Sequence, residues 1–149
     1  MRAFKFSFVL FTLFAVAAPA QAYYDYRLSV GAGIVQFNNP SQTYVDIGAE
    51  YEYRFQPLLG VGAFANYIFS TPSITLIGVP EVFLHPLGGD WLLKASPLIE
   101  FGSGISTQTG VRVGTRLPIP LGPVSFIPEA SVDFIGGRRI LRLGLGLQF

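Results

Sequence analysis

Tyr44-Val45-Asp46-Ile47-Gly48-Ala49-Glu50-Tyr51-Glu52-Tyr53-Arg54-Phe55 alternates without a slip. Val45, Ile47, Ala49, Tyr51, Tyr53 and Phe55 share one parity, and Asp46, Gly48, Glu50, Glu52 and Arg54 share the other. Successive side chains of a strand point to opposite faces, so the segment reads as a strand with one apolar and one charged face. A strand in a soluble sandwich alternates too, with its apolar face turned inward and its charges in water. The fold therefore turns on which face is the outside.

The same pattern extends in both directions. Strands are predicted at about 24–37, 43–56, 58–70, 73–86, 90–102, 106–120, 124–136 and 138–149, which leaves no segment for a helix or a second domain. Asp25 and Arg27 oppose Tyr24, Tyr26 and Leu28; Lys94 and Glu100 oppose Trp91, Leu93 and Ile99. Arg112 and Arg116 oppose Val111, Val113 and Leu117, Glu129 and Asp133 oppose Ala130 and Val132, and Arg138 and Arg142 oppose Leu141, Leu143 and Leu145. The third segment is weaker, with Asn66 among Gly60, Gly62 and Phe64, and the fourth is weakest, carrying Glu81 and His85 on one parity. Once the first charge of each strand fixes its parity, every later charge keeps it except Arg139, beside a predicted turn. Random placement would satisfy only about half of them.

Two features put the charged face inside. Its other positions are small: Gly31, Gly33, Gly48, Gly60, Gly62, Gly102, Gly110, Gly114, Gly144 and Gly146. A narrow barrel admits long charged side chains only where their neighbours are small. The aromatics, in contrast, collect near strand ends on the apolar parity, at Tyr24, Tyr26, Tyr53, Phe55, Tyr67, Phe69, Trp91, Phe101, Phe126, Phe134 and Phe149. Those are the positions of interfacial girdles at headgroup level. The predicted architecture is all-β: an eight-stranded antiparallel up-and-down transmembrane β-barrel. Its lumen charge network comprises Asp25, Arg27, Asp46, Glu50, Glu52, Arg54, Glu81, Lys94, Glu100, Arg112, Arg116, Glu129, Asp133, Arg138 and Arg142.

Composition is consistent with that class. Half of the 149 residues are hydrophobic and only 13% are charged, yet charges interrupt every candidate helical span after the N-terminal segment. Met1 to Ala22 reads as a cleaved secretory signal peptide: Arg2 and Lys5 lead, Phe6 to Ala18 is apolar, and Ala20-Gln21-Ala22 is a small-x-small cleavage site. The barrel domain is then residues 23–149. Removing Arg2 and Lys5 takes 10 cations against 9 acids to 8 against 9, with none of the basic surplus that nucleic-acid binding needs. Cys is absent and His85 is the one histidine, so no metal-ligand cluster is expected and no cofactor is implied. The Gly-x-Gly pairs lie inside alternating strands and read as spacers, not phosphate loops.

The C-terminal octet, Arg142-Leu143-Gly144-Leu145-Gly146-Leu147-Gln148-Phe149, carries a more specific signal. Arg142, Gly144, Leu147 and Phe149 fill the four positions of a motif that resembles the insertion signal of bacterial outer-membrane barrels. With the leader and strands, the chain resembles the small outer-membrane barrel superfamily of the OmpA transmembrane domain and OmpX-like barrels. The resemblance implies location in the bacterial cell outer membrane, contact with its lipid, and recognition of the last strand by the barrel-insertion machinery. It implies no single activity and leaves oligomeric state open.

An eight-stranded barrel is only wide enough to be filled by side chains, so the balanced interior charges read first as a plug. The expected function is thus that of an integral outer-membrane barrel with a structural or interaction role. A narrow pore for ions or small solutes is the alternative, and a lipid-modifying enzyme a more distant one. Barrels of this size do include enzymes that use a histidine with a serine and a carboxylate. His85-Pro86-Leu87 has no serine at such spacing, so His85 is expected to bond Glu81 or water, and no residue is assigned to catalysis. The outer connections, near Asn38–Gln42, Ser70–Ser73, Ser103–Ser106 and Gly136–Gly137, are too short for a dedicated adhesin. Pro80, Pro97, Pro118, Pro120 and Pro128 lie inside predicted strands and lack a ladder donor, so bulges or breaks are expected there.

Overall fold

A computed structural model describes residues 25–86 and 91–149. The proposed leader lies outside the described residues, as do Tyr24 and Asp90. The elements are β1 (Asp25–Asn38), β2 (Ser41–Gln56), β3 (Leu59–Ile68), β4 (Ile74–Leu84), β5 (Leu92–Gly102), β6 (Ile105–Arg116), β7 (Ile119–Leu121), β8 (Val124–Ile135) and β9 (Arg138–Gln148). Consecutive strands pair antiparallel except β6 and β7, and β1 pairs with β9 while β6 pairs with β8. The ring is therefore closed and eight strands round, with β7 a short flap on the end of β8.

The alternation has the orientation that the small residues and aromatics imply. Leu145 is 58% exposed and Tyr26 63%, whereas Asp46 and Glu52 are fully buried. The outside of the barrel is apolar and its inside is charged, the reverse of a soluble fold. On β9 the outward row runs from Leu141 to Phe149, eight residue steps. At barrel tilt that row rises about 20 Å, close to the height of the apolar band of such barrels.

Proline chemistry divides more finely than expected. Around Pro80 the register jumps between Gly78 and Val82, and the bulge switches the inward parity from Ile74, Leu76 and Gly78 to Glu81, Phe83 and His85. The predicted sixth strand breaks after Arg116, so that Pro118 separates β6 from β7. Pro128 causes no irregularity, pairing with Leu145 in unbroken register, whereas Pro97 keeps register with Val111 on β6 but lies opposite the Pro80 bulge on β4, where pairing skips from Ala95 to Leu98. Their rings sit on the outward parity.

Connections are tight at both ends. Asn39-Pro40, Ser103-Gly104 and Gly136-Gly137 each join two strands in two residues, as does Pro57-Leu58 at the opposite end. Gly136 and Gly137 both have positive φ, 54° and 77°, the conformation of a type I′ hairpin that a side chain would disfavour.

Candidate functional site

The site is the lumen. Its central feature is one continuous polar network to which all eight strands of the ring contribute. Arg112 on β6 donates to both carboxylate oxygens of Asp133 on β8, at 2.6 and 2.8 Å, and to Asn66 Oδ1 on β3 at 2.6 Å. Asn66 Nδ2 donates to Asp46 on β2 at 3.0 Å, and Arg142 Nε on β9 donates to the same oxygen at 2.5 Å. Arg142 also pairs with Glu129, which meets Lys94 Nζ at 2.9 Å. Lys94 pairs further with Glu50, and Arg116 joins Glu50 to Glu52 at 2.9 Å and to Ser29 on β1 at 3.2 Å.

Fork-shaped guanidinium groups suit these junctions, since each bridges two acceptors. Two of them also lie over aromatic rings. The Arg112 carbon is 3.8 Å from the Phe64 centroid, and that of Arg116 is 5.4 Å from Phe83. Glycines make room for those rings: a Cβ on Gly78 would lie 2.1 Å from the Phe64 ring, and one on Gly62 would lie 3.0 Å from Phe83.

Glu81, on β4, is the least compensated member. Both carboxylate oxygens are buried without a hydrogen bond, and the paired cation, Lys94, is 3.8 Å away. His85 does not bond Glu81, contrary to expectation. The β4 bulge carries it to the floor of the lumen, where Nε2 lies 2.6 Å from Glu52 Oε1 and both side chains are fully buried.

The remaining charges of the set lie toward the rims. Asp25 and Arg27 pair at 2.6 Å beside the N-terminal end, and Arg54 donates to the Pro57 carbonyl. Glu100 and Arg138 pair at 2.6 Å near the opposite end. Arg139 is exposed on the outward parity, with its backbone N–H on Asn38 Oδ1 at 2.7 Å.

A second feature was not expected from the alternation of charges. At the end bearing the β1–β2, β3–β4 and β8–β9 turns, the lumen is sealed by an apolar cluster of Val35, Phe37, Phe64, Ile68, Ile74, Leu76, Leu98, Ile135 and Ile140. The sequence does carry its signature. On β1 the inward row changes from Asp25, Arg27 and Ser29 to Val35 and Phe37, while the outward row changes from Ile34 to Gln36 and Asn38. Where the outward row turns polar, the inward row becomes an ordinary apolar core. Below this stopper, a cavity of about 30 Å³ lined by Ser29, Glu50, Asn66, Arg112, Glu129 and Arg142 is the size of one or two water molecules.

Solved structures similar to this geometry include membrane barrels. The N-terminal β-barrel domain of Pseudomonas aeruginosa OprF superposes with a TM-score of 0.62 at 12% identity, over 87% of this chain and 100% of that one. The fold is that of the eight-stranded outer-membrane β-barrels. Neisserial surface protein A superposes with a TM-score of 0.58 at 14% identity, over 83% of this chain and 95% of that one. A designed transmembrane β-barrel gives 0.56 at 13% identity, over 83% and 95%. No family model and no curated protein sequence matches the chain.

Proposed function

We propose that this chain is an integral protein of the bacterial outer membrane with a structural or interaction role, and that its lumen is plugged and does not conduct. The observation that carries the reading is the double closure of the lumen: a cross-barrel ion-pair network surmounted by the apolar cluster around Leu76, Leu98 and Ile135. An ion crossing the barrel would have to displace packed side chains at one level and break buried pairs at the next. The His85–Glu52 pair is fully buried, out of reach of lipid and solvent alike, which supports a non-enzymatic role. Arg142, Gly144, Leu147 and Phe149 on and after β9 act as the signal that the insertion machinery reads, and Met1–Ala22 as the export leader.

The deciding experiment is planar-bilayer recording of the folded protein, with heat-modifiable gel mobility as the control for folding. Folded and silent barrels support the reading. Steady openings whose ion selectivity changes in Glu50→Ala or Arg112→Ala would replace it with the narrow pore.

A further inference from the structure

Among the described residues, the β4 bulge is the one place where the wall loses its pairing midway along the strands. The other register shifts lie near turns, at Arg54–Gln56 and Glu100–Gly102. Here β4 has one residue more than either neighbour. Gly78 pairs with Phe64 and Leu98, and pairing resumes at Glu81 with Gly62 and at Val82 with Ala95. Val79 and Pro80 have no register partner on β3 or on β5. Both are exposed on the outside, Val79 to 64%. Pro97, on the facing stretch of β5, lies between Trp91 and Phe101 at the ends of the same outward row, so the gap is far from either rim.

Side-chain chemistry deepens the gap. Pro80 and Pro97 have no N–H, so neither can donate across the seam. A hydroxyl spans it instead: Ser96 Oγ stands 3.1 Å from the Pro80 carbonyl oxygen and 2.6 Å from that of Pro97, with one proton to share between them. An apolar layer offers no water to replace a missing ladder bond. Behind the bulge sits Glu81, whose carboxylate oxygens take no hydrogen bond and whose cation, Lys94, is 3.8 Å away. The wall is thin there as well. A Cβ on Gly78 would lie 2.1 Å from the Phe64 ring and 2.7 Å from the Ser96 hydroxyl, so ring and hydroxyl lie directly against the backbone.

We propose that the wall opens at the β4–β5 seam, the Val79–Pro80 segment swinging outward, and that the opening admits small molecules dissolved in the apolar layer to Glu81. This entrance presupposes the membrane reading above. Local opening starts where backbone hydrogen bonds are few and buried groups poorly compensated, and both conditions meet at this seam. Glu81 offers two acceptor oxygens to an entering donor such as a small alcohol or amine. An opening in the side leaves the apolar cluster at the turn end and the His85–Glu52 pair at the other in place. The barrel therefore stays closed to ions passing from end to end.

Dicyclohexylcarbodiimide, which partitions into lipid, reads the opening on the folded protein in phospholipid vesicles. A carboxylic acid adds its O–H across a C=N bond of the reagent and the adduct rearranges to a stable acylurea, so peptide mass spectrometry locates the modified residue. The expected result is modification of Glu81 by this reagent and not by a cationic, water-soluble carbodiimide, which would enter through the ends of the lumen. Loss of the hydroxyl in Ser96→Ala should speed the reaction about tenfold, the effect of one hydrogen bond on the opening equilibrium. Deleting Val79 removes the extra residue, lets Pro80 pair with Pro97 and Glu81 with Ser96, and should slow the reaction about tenfold. If that deletion does not fold, a disulfide between Val82→Cys and Ala95→Cys serves in its place, since these are register partners at the edge of the gap in a chain without native cysteine. It should slow modification when oxidised and release it on reduction. Unmodified Glu81 in the folded barrel, equal rates with the two reagents, or a rate indifferent to closing the seam would each overturn the proposal. A chain that does not fold into vesicles at all would overturn the membrane reading instead.

Discussion

Arg112 and Asp133 face one another across the β6–β8 seam, joined by two parallel hydrogen bonds of 2.6 and 2.8 Å with each side chain 1% exposed. This seam ends where the predicted sixth strand breaks, beyond the pair, at Arg116. Removing one partner leaves the other charge buried without compensation. Arg112→Ala is therefore expected to destabilise the folded barrel by about 3–5 kcal/mol, and Arg112→Met with Asp133→Leu by far less. Urea titration in lipid vesicles, read by heat-modifiable mobility, checks both. A double variant as weak as the single one would show that the pair itself, and not the avoidance of an orphaned charge, holds the seam.

Glu81 poses the opposite case. Its oxygens lack hydrogen bonds, and Lys94 at 3.8 Å is shared with Glu50 and Glu129. The amide of Glu81→Gln keeps the shape and removes the uncompensated charge. Stability in the same titration should stay level or rise, whereas Glu50→Gln, which weakens pairs to both Lys94 and Arg116, should lower it by about 1–3 kcal/mol. A loss on Glu81→Gln as large as on Glu50→Gln would mean that Glu81 is paired in a way the geometry does not support.

The wall of the barrel was legible in the sequence because alternation is a local signal. Each strand carries its own parity, and the charges of β2, β6 and β8 agree within each strand, as do those of β9 apart from Arg139, without any knowledge of their partners. The interior was legible only in part. Asp46, Glu50 and Arg116 could be assigned to the lumen by parity, but their pairing depends on shear, which brings together residues from strands far apart in the chain. The His85–Glu52 bond shows the difficulty, since it exists only because the bulge at Pro80 re-aims the end of β4. The apolar stopper was missed for another reason. Val35 and Phe37 looked like the end of an alternating strand, although their parity was the inward one. The rows of β1 exchange polarity there, as the wall of a barrel passing from an apolar layer into water would.

Gly62 tests how tightly the lumen is filled. A Cβ there would lie 1.8 Å from the Tyr51 carbonyl oxygen and 3.0 Å from the Phe83 ring. The first of these atoms is backbone in the neighbouring strand, so relief requires the β2–β3 ladder to move. Gly62→Ala should cost about 1–3 kcal/mol. Gly104→Ala is the contrast: nothing lies within 4 Å, and the cost there comes from its φ of 77°. Urea titration of the Phe83→Leu background separates backbone from side-chain crowding: that background should leave most of the Gly62→Ala loss in place, because the Tyr51 carbonyl oxygen still obstructs the Cβ.

Phe149 is held to the first strand by a reciprocal backbone pair, its N–H on Leu28 O at 2.9 Å and its C=O accepting from Leu28 N at 3.3 Å. Its ring is 59% exposed on the outward face. If that face meets lipid, as proposed, Phe149→Ala keeps both hydrogen bonds but loses the transfer of the ring out of water, and should lower stability in vesicles by about 1–3 kcal/mol. If the ring is instead read by the insertion machinery, the same variant should accumulate unfolded in the periplasm of an expressing bacterium. Pulse-labelling followed by heat-modifiable mobility measures that directly. A variant that inserts in cells as fast as the parent would remove Phe149 from the signal. A variant that fails equally in cells and in pure vesicles would assign the ring a folding role, closing the β9–β1 seam.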